Sequence, residues 1–165
     1  ELCFQFNQLS PLKELEQKEI IGKLFGKTKE NFCVTAPFYC DYGYNIEIGE
    51  NFYSNHNLVI LDGAKVKIGD NVFIAPNCCI TTAGHPINID ERNRGLEYAY
   101  PIKIGNNVWI GAGVNILPGV TIGDNVTIGA GSVVNKSIPA NSIAVGNPCK
   151  VIKTILDKTK DVNSN

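Results

Sequence analysis

Aliphatic residues recur every six positions through the second half of the chain, at Ile104, Ile110, Ile116, Ile122 and Ile128, with Val134 taking the same place. A second frame runs two residues earlier, through Ile102, Val108, Val114, Val120, Val126 and Ser132. Residues two apart on a strand point to one face, so each hexad offers a pair of inward positions. The phrase Ile-Gly-x-Asn opens units at 48–51, 68–71, 104–107 and 122–125. Glycine follows the main aliphatic at 105, 111, 123 and 129, where the chain is expected to bend tightly. A six-residue spacing walks around an α-helix instead of forming a stripe, and a sandwich would show looser alternation between hairpin turns. No hexad can bury its own pair, whereas stacked coils can. The pattern therefore predicts an all-β solenoid, a parallel β-helix with an aliphatic column down its axis. The block 102–134 is the most regular. In the block 46–80 the frame slips between Ile60 and Ile68.

The beat stops after Ile80 and resumes at Ile104. Between them residues 84–101, GHPINIDERNRGLEYAYP, hold few aliphatics and a cluster of charge, with His85 at the start. The two isoleucines remain a multiple of six apart, so the chain leaves and rejoins the prism at one corner, and 84–101 forms a projecting loop. Long loops in compact repeat domains are disproportionately functional. The first residues follow another pattern. Ser10-Pro11 has the form of an N-cap followed by proline at the first helical position. Leu12, Leu15, Ile20, Ile21, Leu24 and Phe25 give an apolar stripe that Gly26 stops. This predicts one helix over about 11–25, packed on one end of the prism. The expected layout is a helical segment at 1–30, the β-helix at 31–155 and a polar tail at 156–165.

Composition narrows the function classes. A chain of 165 residues makes one domain. Fifteen basic against sixteen acidic residues leave a net charge of −1, which argues against nucleic acid as a partner. No apolar run has the length of a membrane span. No secretory signal precedes the repeats, and a chain opening Glu1-Leu2 is expected to have lost its true start. Cys3, Cys33, Cys40, Cys78, Cys79 and Cys149 are scattered and form no C-x-x-C pair, so reduced thiols in a cytoplasmic protein are expected and a zinc site is not.

The Ile-Gly-x-Asn hexads, CDYGYNIEIGENFYSNHN (40–57), TTAGHPI (81–87), NNVWIGAGV (106–114) and AVGNPCKVI (144–152) together resemble the hexapeptide-repeat sugar O-acetyltransferases, the maltose, galactoside and nodulation-factor enzymes. The resemblance covers about residues 10–155. It implies a left-handed solenoid, a homotrimer with active sites between neighbouring subunits, and acetyl-CoA as cosubstrate with no metal. Periodicity alone leaves the hand open, since a right-handed solenoid satisfies the same spacing.

His85 is the candidate general base: an imidazole titrates near neutrality, and a sugar hydroxyl is a poor nucleophile until its proton has somewhere to go. The resemblance implies direct transfer to a sugar such as maltose, glucose or a galactoside, with oxyanion help from the backbone N–H of Ala112. It further implies Asn55 at the acceptor end of the site, bonding the reacting hydroxyl or the developing oxyanion, Asp41 and Tyr53 lining the sugar pocket, and Glu97 orienting His85 or meeting a sugar hydroxyl. Trp109, between the inward Val108 and Ile110, should point outward at the lip of the cofactor groove. Small residues there, Gly111, Ala112, Gly129 and Ala130, would expose backbone to the pantetheine arm. Lys136, Lys150 and Lys153 match basic positions used for the nucleotide end. Gly63 stands where some galactoside-acetylating members carry an acid, which argues against galactosides as the preferred acceptor. His56 is expected to pack. Three other readings remain: a hexapeptide acyltransferase acting on serine, a drug hydroxyl or an amine; a carbonic anhydrase on the same prism, which needs three histidines where this chain has His56 and His85; and a non-catalytic scaffold.

Overall fold

The computed structural model describes residues 1–155, so the predicted polar tail at 156–165 lies outside the described residues. Within them the hexads form a left-handed parallel β-helix of about 6 turns, a three-walled prism. The first wall stacks Ile46–Glu47, Val66–Ile68, Ile102–Ile104 and Thr121–Ile122. The second stacks Phe32–Val34, Phe52–Ser54, Phe73–Ile74, Trp109–Ile110, Val126–Ile128 and Ser142–Val145, and ends in an antiparallel strand, Lys150–Thr154. The third stacks Phe38–Cys40, Leu58–Leu61, Cys79–Thr81, Asn115–Ile116 and Val133–Val134.

Both predicted frames point inward. Ile102, Val108, Val114, Val120 and Val126 are as buried as Ile104, Ile110, Ile116, Ile122 and Ile128, and together they make the axial column. The slip between Ile60 and Ile68 also has a structural cause. Ser54 pairs with Ile74 and Ile60 with Ile80, twenty residues apart, while Ile110 pairs with Ile128 and Ile116 with Val134, eighteen apart. The two extra residues of each lower coil lie at the corner between the third and first walls.

The corner between the first and second walls differs from the sequence expectation. The residues with left-handed backbone are asparagines, not glycines: Asn51, Asn71, Asn107, Asn125 and Asn141 have φ of 55°, 55°, 56°, 57° and 57°. Asparagine tolerates that conformation, and its amide can pair with its copy in the next coil. The side chains form a ladder, Asn51 to Asn71, Asn71 to Asn107, Asn107 to Asn125 and Asn125 to Asn141, with Nδ2 donating to Oδ1 at 3.0, 3.2, 3.0 and 2.8 Å. The adjacent glycines serve close approach. A Cβ on Gly69 would lie 2.7 Å from the Gly105 carbonyl oxygen, and one on Gly105 would lie 2.8 Å from the Asp124 nitrogen.

The N-terminal segment does cover one end of the prism, but as two helices, Leu2–Gln8 and Glu14–Leu24. Ser10-Pro11 sits in the turn between them and caps neither: Ser10 Oγ accepts from the Leu12 N–H at 3.3 Å, and the second helix starts at Glu14. The predicted stripe is cut accordingly. Ile21, Leu24 and Phe25 are buried, whereas Leu12 and Leu15 are 92% and 80% exposed. Phe6 of the first helix, absent from the predicted stripe, is fully buried. Asn7 ties that helix to the lowest third-wall strand by donating to the Phe38 carbonyl at 2.8 Å and accepting from the Phe38 N–H at 2.9 Å.

Candidate active site

The interruption at 84–101 is an arm at the corner between the third and first walls, the corner that also holds the extra residues of the lower coils. Ala83–Gly84 runs out and Tyr98–Ala99 returns as an antiparallel pair. A short helix, Ile89–Asn93, crosses the tip and is capped by Asn88, whose Oδ1 accepts from the Asp90 and Glu91 N–H groups at 3.0 and 3.1 Å. Gly84 leaves room for the Tyr98 ring: a Cβ there would lie 2.6 Å from it, and the ring would have to move. Thr82, fully buried, anchors the base: its Oγ1 donates to the Leu61 carbonyl at 2.7 Å and accepts from the Ala64 N–H at 3.0 Å.

His85 leaves this base into a cleft of about 560 Å³ lined by Asp41, Tyr42, Leu61, Ala83, Gly84, His85 and Glu97. Its Nδ1 lies 3.0 Å from the Leu96 carbonyl. A carbonyl can only accept, so Nδ1 carries the hydrogen and the Nε2 lone pair faces the cleft. Glu97 Oε1 lies 3.5 Å from Nε2. Asp41 stands in the same cleft, and its carboxyl is held above the usual carboxylate range by partial burial, by the Asp62 charge and by Glu97. The structure therefore brings together His85, Glu97 and Asp41 of the predicted residues.

It does not bring Asn55, Tyr53 or the predicted cofactor residues to that cleft within one chain. Asn55 lies at the corner between the second and third walls, where its Oδ1 accepts from the His56 N–H at 2.7 Å. Gly111, Ala112 and Ala130 share that corner. A Cβ on Gly111 would lie 2.6 Å from the Ala130 nitrogen, and Ala112 is exposed at the turn. Tyr53, Phe73 and Trp109 are register partners on the outer face of the second wall, with Trp109 58% exposed as expected. The column continues through Thr127 and Ile143 to Lys153, while Lys150 pairs with Val145 on the same wall. Lys136 is exposed at the arm's corner, one coil above Leu117–Gly119. The third wall separates the His85 cleft from the corner of Asn55, Gly111, Ala112 and Ala130.

Two further positions singled out in the sequence have local contacts. At Gly63 the returning arm comes into contact: a Cβ there would lie 3.4 Å from the Ala99 Cβ, an ordinary van der Waals distance. His56 bonds the Ala36 carbonyl of the coil below through Nδ1, away from the cleft. Sequence reasoning missed Asp62, a fully buried carboxylate one coil above the Asp41 turn. Its signal was present: an acid at the point where the frame gains two residues.

Residues 101–136 match the bacterial transferase hexapeptide (six repeats) family. The protein YJL218W of Saccharomyces cerevisiae is 62% identical over 93% of this chain and 79% of its own. A maltose O-acetyltransferase from Clostridium difficile 630 superimposes with a TM-score of 0.93 at 53% identity, covering 94% of this chain and 83% of that one. A galactoside acetyltransferase in complex with coenzyme A gives a TM-score of 0.93 at 49% identity, covering 99% and 82%. With this prism, this arm and these relatives, the chain belongs to the hexapeptide-repeat O-acetyltransferases, in the branch of the maltose and galactoside enzymes.

Proposed function

We propose that the protein transfers the acetyl group of acetyl-CoA to a hydroxyl of a sugar such as maltose, glucose or a galactoside, by direct attack with His85 as general base. The observation that carries this reading is the bond from His85 Nδ1 to the Leu96 carbonyl, which leaves Nε2 free to accept a proton. The sugar hydroxyl gives its proton to Nε2 as its oxygen attacks the thioester carbonyl. The negative charge that develops on the carbonyl oxygen is met by a backbone N–H, that of Ala112. The tetrahedral species expels the thiolate of coenzyme A, which recovers the proton from Nε2. No acyl-enzyme is formed. Glu97 Oε1, 3.5 Å from Nε2, faces the nitrogen that takes the proton and helps to orient the ring. A galactoside acetyltransferase of the same fold holds coenzyme A, which supports the donor.

We further propose a homotrimer whose sites lie between copies. His85 with Asp41, and Asn55 with Ala112, occupy two corners that border the third wall. The outward column of that wall, Tyr39, Val59, Cys79, Asn115 and Val133, is largely apolar. Three copies packed about these walls would set the arm of one against the Asn55 corner of the next and close each cleft. Trp109, Gly111, Ala112 and Ala130 would then line the cofactor groove, with Lys136, Lys150 and Lys153 near the phosphates, and Tyr53 would join the sugar pocket. All six cysteines are unpaired, which fits a reducing compartment, and we place the protein in the cytoplasm. Among the described residues no helix is long and apolar enough to cross a membrane.

The test is His85→Ala. Thiol release from acetyl-CoA with a panel of sugars should fall by about 10²–10⁴-fold while acetyl-CoA binding is retained. Near-normal activity on every sugar would remove the base assignment. Release with serine or amines but not sugars would replace the acceptor class.

A further inference from the structure

Three successive coils meet at the arm's corner, and their hydrogen bonds run from one to the next. Asp62, with 0% of its surface exposed, accepts four backbone N–H bonds from the turn one coil below. Oδ1 receives those of Asp41 and Tyr42 at 3.1 and 2.9 Å, and Oδ2 those of Gly43 and Asn45 at 2.7 and 3.3 Å. Asn45 Nδ2 returns a bond to the Asp62 carbonyl at 2.8 Å. On the other side Thr82 binds the Leu61 carbonyl and the Ala64 N–H, so the segment holding Asp62 also holds the base of the arm. We infer that Asp62 is a positioning residue for the acceptor side of the cleft, fixing where Asp41 stands relative to His85 through this clasp.

The prism itself does not need the acid. Two coils above, the same corner closes as Leu117-Pro118-Gly119 with no carboxylate. A buried carboxylate is expensive unless its oxygens are fully bonded, so its presence here answers to the turn it holds. That turn cannot rest on local preference alone. Gly43 is in left-handed backbone at φ 83°, and a Cβ there would lie 2.6 Å from the Leu24 carbonyl oxygen. The turn is thus pressed between the second helix and Asp62, and Asp41 projects from it into the cleft.

The inference rests on the sugar acetyltransferase reading for its kinetic consequences and on geometry for the rest, so the test has two readouts. In the wild-type protein the amides of Asp41, Tyr42, Gly43 and Asn45 should exchange slowly. In Asp62→Asn they should exchange about 10-fold faster or more, while those of Ile102–Ile128 are unchanged. The acceptor KM should rise by a similar factor with the acetyl-CoA KM unaltered. The acidic limb of the acceptor kcat/KM profile should move to lower pH, because a negative charge behind Asp41 is gone. The titratable groups facing Asp41 are Asp62 behind it, Cys40 beside it, and Tyr42, His85 and Glu97 around the cleft. Thr82→Val is the second variant should Asp62→Asn not fold, and it too should raise the acceptor KM alone. A lower Tm with both KM values and the pH limb unchanged would overturn the inference, as would fast exchange at 41–45 in the wild type. A wild-type protein that acetylates no sugar would sink the acceptor reading, while loss of protection in the variant would still support the placement of Asp41 by Asp62.

Discussion

Two corners of the prism are built from opposite rules. Between the first and second walls four coils repeat the same chemistry, a glycine without room for a side chain at 49, 69, 105 and 123 and an asparagine in left-handed backbone two residues later, and the asparagine ladder runs on to Asn141. Between the third and first walls no two coils agree: the Asp41–Asn45 turn, the Asp62 segment, the arm with His85, and the tight turn at Pro118. The first corner sets the coil spacing, and identical residues in register are what let it do so. The second is released from repetition, and His85, Glu97 and Asp41 collect there.

Substitutions should separate the two. Asn107→Ala forces a Cβ residue without a polar side chain into left-handed backbone and breaks two rungs of the amide ladder. The cost should be about 2–3 kcal/mol, read as a lower Tm with kcat unchanged at temperatures where the variant is folded. Gly95→Ala, at φ 76° in the arm with open space around it, should cost about 1 kcal/mol. If the arm shapes the acceptor pocket, that change should raise the acceptor KM while lowering Tm by no more than about 2–4 °C. Ser54 marks a flaw in the regular part of the structure: its Oγ is buried and has no partner among the described residues. Ser54→Ala should therefore change stability by less than about 0.5 kcal/mol, or raise it. Cys40, at the edge of the variable corner, has its thiol pushed up to about 12, chiefly by burial and then by Cys3 and Asp62. It should stay protonated and resist alkylation well above neutral pH, becoming reactive only as the pH approaches that value or the protein unfolds.

The same contrast explains what was legible in the sequence. The regular walls were, because inward pairs at a period of six are buried only when coils stack, and Ile104 through Val134 stack in that way. The arm was legible as an interruption, and His85 as its base. The hand of the coil came through resemblance, since left and right solenoids bury the same residues. The helix start was misplaced because Ser10-Pro11 suits a turn as well as a cap, and only packing of Phe6 and Asn7 against the lowest coil decides between them. Asp62 was passed over because one acid beside a glycine has no periodic signature. Asn55 and His85 were grouped by resemblance, and one chain keeps them on separate corners because the third wall stands between.

That separation makes subunit mixing the most direct test. His85→Ala and Asn55→Ala proteins, each nearly inactive, are dissociated together and reassembled in equal amounts. Sites shared between copies should restore about a quarter of wild-type activity, because some clefts then receive His85 from one copy and Asn55 from its neighbour. Activity that stays at the level of the two variants alone, or an Asn55→Ala protein that is fully active by itself, would contradict the shared site.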